Sequence, residues 1–173
     1  MAELYASTGR DSLALKSYSK AIEADSTNLT SWLALGDYFF RQRNYSAYLG
    51  IVGRLFDNKD VPVKNKIEQF KALTSNITFY RNNFPQINGL ANKLAIHYPE
   101  NRQVSELYAR HLIASGQVAT ATEVYKRLLN RNKPKKEELV QIIELENYMG
   151  RADSVELYLE IALQHFPADG NLR

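Results

Sequence analysis

Ser17 and Lys20 stand in Ser-x-x-Lys order, the spacing in which a lysine can act as base to a serine nucleophile. No Ser-Asp-Asn or Lys-Thr-Gly segment accompanies them, and both fall on a helical stretch, so the match is one of letters. His97 and His165 lie 68 residues apart near expected helix ends, where an imidazolium complements the helix dipole, and a shared metal is not expected. His111 stands alone. Glu144 and Glu146 are two apart on one helix, do not face each other and make no acid/base pair. There is no Gly-x-Ser-x-Gly elbow, no phosphate-cradling glycine loop and no His-Glu-x-x-His. Zero cysteines exclude disulfides, thiolate metal sites and cysteine nucleophiles together. A non-catalytic chain with no cofactor and no metal is expected.

Two further patterns carry chemistry of a different kind. Asn28, Asn44 and Asn76 open Asn-x-Ser/Thr sequons, but each also precedes a helical stretch, so all three are read as caps and turns. Lys126, Arg127, Arg131, Lys133, Lys135 and Lys136 crowd one turn and are followed at once by Glu137 and Glu138. A nucleic-acid footprint would run on as a stripe with interleaved aromatics, so this patch is read as a solvated helix end and no nucleic-acid partner is expected.

The elements that hold these residues follow from composition and period. The chain has 173 residues, 45% hydrophobic and 24% charged, with net charge +3. That is a globular composition long enough to bury a core without metal or disulfide. Eight glycines and five prolines are too few for a many-stranded barrel or sandwich. The N-terminus has no basic and apolar leader pattern, and no window approaches the ~20 apolar residues of a membrane span. The sequence as given reads as soluble, with its compartment left open.

A 34-residue register runs through the sequence. Gly150 follows Gly116 by 34, Val155 follows Ala121 by 34, and Asp169 follows Asn101 by 68. Gly9, Ala14, Tyr18 and Ala21 have the spacing of Gly116, Ala121, Tyr125 and Leu128, and 34 residues after Gly9 stands Arg43. From Arg43 to Gly116 is 73 residues, so one unit carries five extra. Each unit reads as a helical hairpin. Trp32, Leu35 and Phe39 recur at helical spacing in 29–41; Asn28, Asn101 and Asp169 are cap candidates; Gly9, Gly116 and Gly150 suit a left-handed helix end. Ala14, Ala21, Ala121 and Ala162 fall where the second helix must approach its partner closely, and Pro99 and Pro167 follow second helices that they cannot continue.

Those residues resemble the tetratricopeptide repeat (TPR) family, of a bacterial type with an irregular middle unit. Trp32, Leu35, Gly36 and Phe39 match its first helix. Ala14, Tyr18, Ala21, Ala121, Tyr125, Ala162 and Pro167 match its second. The resemblance implies an all-α, right-handed α-solenoid of about four and a half stacked hairpins forming one repeat domain over 1–173. Its units are a partial 1–28, then 29–62, 63–101, 102–135 and 136–169. Tyr48 stands where a small residue belongs, so the hairpin of 29–62 is expected to splay. The 39-residue unit 63–101 lacks the glycine turn, and either its first helix is long or an extra turn follows through 76–80, with Pro85 in the first turn of a helix running to about His97.

By that resemblance the chain is a protein–protein interaction module whose first helices line a groove for a peptide or partner helix. The positions carried over are Leu33, Asp37, Phe40 and Arg41, then Glu106, Arg110 and Ile113, then Val140, Glu144, Asn147 and Tyr148. Phe40 and Tyr148 are surplus to the repeat pattern and are the anchor candidates. Leu33 and Asp37 replace the Lys and Asn of the family's carboxylate clamp, so that activity is not carried over. The alternative is a structural segment of a longer array that self-associates through uncapped ends.

Overall fold

The computed structural model describes residues 2–7, 11–131 and 133–167. Gly9 and Asp169 lie outside the described residues. Those described fold into helices joined by short turns, with no strand among them, and divide into two compact units, 1–97 and 98–173.

In the first unit α1 (Ala2–Ser7) pairs with α2 (Asp11–Ala24), and α3 (Leu29–Arg41) with α4 (Tyr45–Asp57). Then come α5 (Val63–Ser75), the short α6 (Ile77–Asn82) and α7 (Phe84–His97), which packs on α4, α5 and α6. The irregular segment therefore keeps a 13-residue first helix and adds a separate helix after it. Asparagine sets the helix starts. The side-chain oxygens of Asn28, Asn44 and Asn76 accept from the backbone N–H of Ser31 (3.2 Å), Ala47 (3.1 Å) and Phe79 (2.9 Å), satisfying donors that the first turn leaves orphaned. All three sequon asparagines are thus helix caps.

Crossings in this unit rest on small residues. Ala14 is fully buried, whereas Ala21, in the last turn of α2, is exposed. On α3 the small residue is Gly36, and the ring of Tyr48 lies against it, so close that an added Cβ would meet the ring at 3.4 Å. The bulk that Tyr48 brings to α4 is matched by the glycine facing it, and α3 and α4 stay packed. The C-terminus of α4 is closed from α5: the fully buried Lys66 donates from Nζ to Phe56 O at 3.0 Å and also to Asn58 O, placing a cation on the negative end of the helix.

In the second unit α8 (Arg102–Ala114), α9 (Val118–Arg131), α10 (Lys136–Tyr148) and α11 (Ala152–His165) pack each on the next. Asn101 caps α8 by accepting from Val104 N at 3.1 Å. Ala109, Leu112, Ala121, Tyr125, Leu128 and Ile142 form the core. His111 on α8 is also buried, and burial pulls its pKa below the ordinary imidazole value.

The turns between paired helices repeat one backbone device. Gly116 and Gly150 have φ of 78° and 71°, and Arg43, at the same register position, has φ of 56°. A Cβ added at Gly116 or Gly150 would meet nothing within 4 Å, so only backbone strain opposes substitution there. Gly116→Ala and Gly150→Ala should each lose about 1–2 kcal/mol in urea unfolding, the left-handed penalty of an L-residue, whereas Arg43→Gly should lose nothing or gain stability.

His111 gives a second expectation. A neutral imidazole in the fold and a titrating one in the unfolded chain mean that the unfolded state binds more protons at acid pH. The contribution is whole above the unfolded value of about 6.5 and is lost as pH falls toward the lowered native value. Urea midpoints should therefore drop between pH 7 and pH 5 more steeply in the native chain than in His111→Gln.

Candidate functional site

Among the described residues each unit holds a cleft, and the two differ in chemistry. The cleft of the first unit, about 350 Å³, lies between α3, α4, α5 and α6. The apolar period of α3 turns Trp32 and Gly36 inward, with Leu33, Asp37 and Phe40 at the rim; α4 supplies Tyr48, Ile51, Val52 and Leu55. From α5 come Gln69, Ala72 and Leu73, and then the cap residue Asn76 and Phe79 of α6. Leu73, Leu55, Trp32 and Val52 are each at most 4% exposed and make a dry floor.

Aromatic rings build the mouth. Phe40 packs on Tyr45, Tyr48 and Phe79 with ring centroids 5.3, 5.3 and 5.6 Å apart, within the range of favourable aromatic pairs. It is nonetheless 42% exposed, held on one side and open on the other. Gln69 Nε2 donates to the Tyr48 hydroxyl at 2.9 Å across α4 and α5, and burial pushes the Tyr48 phenol up. Asp37 Oδ2 pairs with Arg41 at 2.6 Å, both side chains being more than half exposed.

Trp32 fixes the far end. Its Nε1 donates to Ser26 O at 3.0 Å, an acceptor shared with Asn58 Nδ2 at 2.8 Å, and the guanidinium carbon of Arg54 stands 5.6 Å from the ring centroid. Ser26 Oγ also donates to Asp60 at 3.1 Å, so loops one repeat apart are stitched together.

The cleft of the second unit, about 770 Å³, is charged. Glu106, Arg110, Tyr125, Lys135, Glu138 and Val140 line it, together with Lys136, Glu137 and Gln141. Arg102 takes the buried carboxylate of Glu138 in a two-pronged grip, Nε to Oε1 at 2.8 Å, and reaches Lys133 O at 3.1 Å. Lys135 Nζ lies 2.7 Å from Glu106 and Arg131 2.6 Å from Glu100. Fully buried Glu146 sits between Lys126 at 2.7 Å and Arg151 at 3.4 Å. Burial works against the Lys126 ammonium, but Glu146 and Glu123 outweigh it and hold its pKa above the usual value. Within the basic run read as a solvated helix end, Arg131 and Lys135 stay about half exposed and, with Lys126, pair with acidic side chains, two of them some thirty residues away.

Of the expected groove residues, Leu33, Asp37 and Phe40 line the first cleft, and Glu106, Arg110 and Val140 the second. Arg41 lies beside the first cleft as the partner of Asp37. Ile113, Glu144, Asn147 and Tyr148 line neither; Tyr148 is the most exposed large hydrophobic among the described residues, at 78%. Tyr48, Gln69, Ala72, Asn76 and Phe79 were missed. The signals for them were the misplaced bulk of Tyr48 and the five inserted residues that carry Phe79.

Stacked helical hairpins of this register, with left-handed turns and small residues at the crossings, define an all-helical repeat protein, and the chain has the tetratricopeptide-repeat fold. Among solved structures it is similar to a tetratricopeptide repeat protein from Parabacteroides merdae ATCC 43184, at 16% identity and TM-score 0.54, over 99% of this chain and 66% of that one. It is also similar to TTC0263, a thermophilic TPR protein in Thermus thermophilus, at 18% identity and TM-score 0.51, over 99% and 90%. MamA AMB-1 matches at 18% identity and TM-score 0.51, over 97% and 96%. At these identities the likeness is one of fold. No family model and no curated protein sequence matches the chain. No helix among the described residues is long and apolar enough to cross a membrane.

Trp32, 4% exposed and hydrogen-bonded, joins the floor of the first cleft to the loop before α3. Trp32→Ala should cost about 3–5 kcal/mol in denaturant unfolding, the range for large-to-small changes at a buried aromatic. A loss below about 1 kcal/mol would contradict that burial.

Proposed function

We propose that the chain is a non-catalytic protein–protein interaction module that takes a peptide or partner helix, as one repeat domain over 1–173. The observation that carries this reading is the first cleft: a dry floor, an aromatic mouth with Phe40 half open, and polar groups at the rim. Interaction hot spots have this form, an apolar pocket with aromatic anchors inside a ring of polar contacts. The fold shared with TPR proteins supports the same conclusion, because stacked hairpins present side-chain rows that no single hairpin could hold in place.

In this reading Phe40 and Tyr148 are anchors and Leu33 and Val140 add apolar surface. Asp37, Arg41, Glu106, Arg110, Glu144 and Asn147 set orientation, and Ile113 is carried with them as a groove position. The two clefts then make different contributions. The first has little charge to lose on desolvation and suits affinity. The second is lined by charges of both signs, Glu106, Lys135 and Glu138 among them in ion pairs, and suits orientation and association rate.

The test is binding of a partner identified by cross-linking to the full chain. Phe40→Ala should weaken binding by about 2 kcal/mol, roughly thirtyfold, because it truncates a semi-buried aromatic anchor, and Tyr148→Ala should weaken it as well. Arg110→Ala should act mainly on the association rate and its salt dependence. A partner that cross-links to the second helices and binds Phe40→Ala and Tyr148→Ala unchanged would refute the groove. A chain that only self-associates, with the cleft empty, would favour the assembly reading.

A further inference from the structure

We infer that the first cleft selects a segment carrying one bulky aliphatic or aromatic side chain with a lysine or arginine close beside it. This rests on the interaction reading above and narrows it to a class of partner.

Three observations converge on that chemistry. A volume of about 350 Å³ is near the lower end of the ~300–1,000 Å³ range of ligand pockets, room for a side chain or two rather than a helix face. Its floor of Leu55, Val52, Leu73 and Trp32 offers an entering group dispersion contacts alone, so that group is apolar.

Of the ion pair at the rim, Asp37 with Arg41, only the carboxylate lines the cleft. Asp37 is the only ionised side chain among the cleft's lining residues. Its Oδ2 is taken by Arg41, which does not line the cleft, and that pair leaves Oδ1 as an acceptor. Gln69 spends its amide N–H on the Tyr48 hydroxyl and keeps its carbonyl oxygen as a second acceptor. Asn76, whose oxygen caps α6, adds a neutral amide donor, so the charged group at the lining is the carboxylate, which calls for a cation on the ligand.

The rings favour the same sign. Phe40, Tyr48 and Phe79 line the cleft, and the negative faces of aromatic rings attract ammonium and guanidinium groups. An acidic neighbour to the anchor would meet the Asp37 carboxylate, the ionised group among the cleft's lining residues, and gain nothing from it. One pocket therefore reads an apolar side chain by shape and its neighbour by charge.

A random twelve-residue peptide display library, selected on the full chain, tests this. The depletion control is Ala72→Trp, which fills the cleft from an exposed helical position, with thermal melting to show that it folds. Should that variant fail to fold, Leu33→Trp fills the cleft from α3. Peptides enriched on the native chain over the filled variant should share a Leu, Ile, Met, Phe or Trp with Lys or Arg within four residues. Synthetic copies should bind the filled variant at least tenfold more weakly. Asp37→Asn should keep the apolar requirement and lose the basic one. Enriched peptides that need the open cleft but prefer acidic or uncharged neighbours would overturn this inference and leave the interaction reading standing. A native chain that enriches nothing over the filled variant would overturn both.

Discussion

Two helices of a hairpin bury each other's apolar stripe only if their backbones come close, and that needs a small residue on one side of every crossing. Ala14, Ala109, Ala121 and Ala162 are all fully buried and meet the requirement directly. Where the second helix offers Tyr48 instead, the small residue is Gly36 on the first helix, and the ring lies against it. The constraint concerns the pair and not the position. Around it the remaining parts follow: a left-handed residue to reverse the chain, an asparagine to start the next helix, and a proline after the helix that must stop.

The units solve their polar problems differently. In the first, backbone groups at loops and helix ends are met by single long side chains, Lys66 on the end of α4 and Trp32 with Asn58 on Ser26 O. In the second, charges meet charges, and carboxylates as buried as Glu138 and Glu146 are each matched by a cation at hydrogen-bonding distance. A buried carboxylate without such a partner would cost several kcal/mol, so these pairs fix which helix face meets which even if they add little net stability. The second cleft is lined by charges of both signs, with Glu106, Lys135 and Glu138 committed to ion pairs, and the first mostly by apolar surface.

The first cleft owes its shape to departures from the repeat. A regular unit would put a small residue at Tyr48 and no helix at α6. Here the tyrosine closes one wall and bonds Gln69, while the inserted helix brings Phe79 against Phe40 and Tyr45. Irregularity in a repeat array is where one unit ceases to be interchangeable with its neighbours, and here it coincides with the more apolar cleft.

What the sequence determined by itself was local. The asparagine caps at Asn28 and Asn101, the turns at Arg43, Gly116 and Gly150, and the helix from Pro85 to His97 could be read from residues a few positions apart, because caps, breakers and left-handed turns act within one helical turn of the backbone, and their recurrence gave the 34-residue period. Leu33, Asp37 and Phe40, carried over as groove positions by the family resemblance, line the first cleft. Tertiary structure decided what lies opposite what. That Ala21 is exposed, that Lys135 reaches Glu106, that Glu146 is buried between Lys126 and Arg151, and that Phe79 completes the aromatic mouth all depend on neighbouring helices. Charge and aromatic pairing act through space over a few ångströms, and residues some thirty positions apart in the chain carry no mark of which of them the fold will bring together.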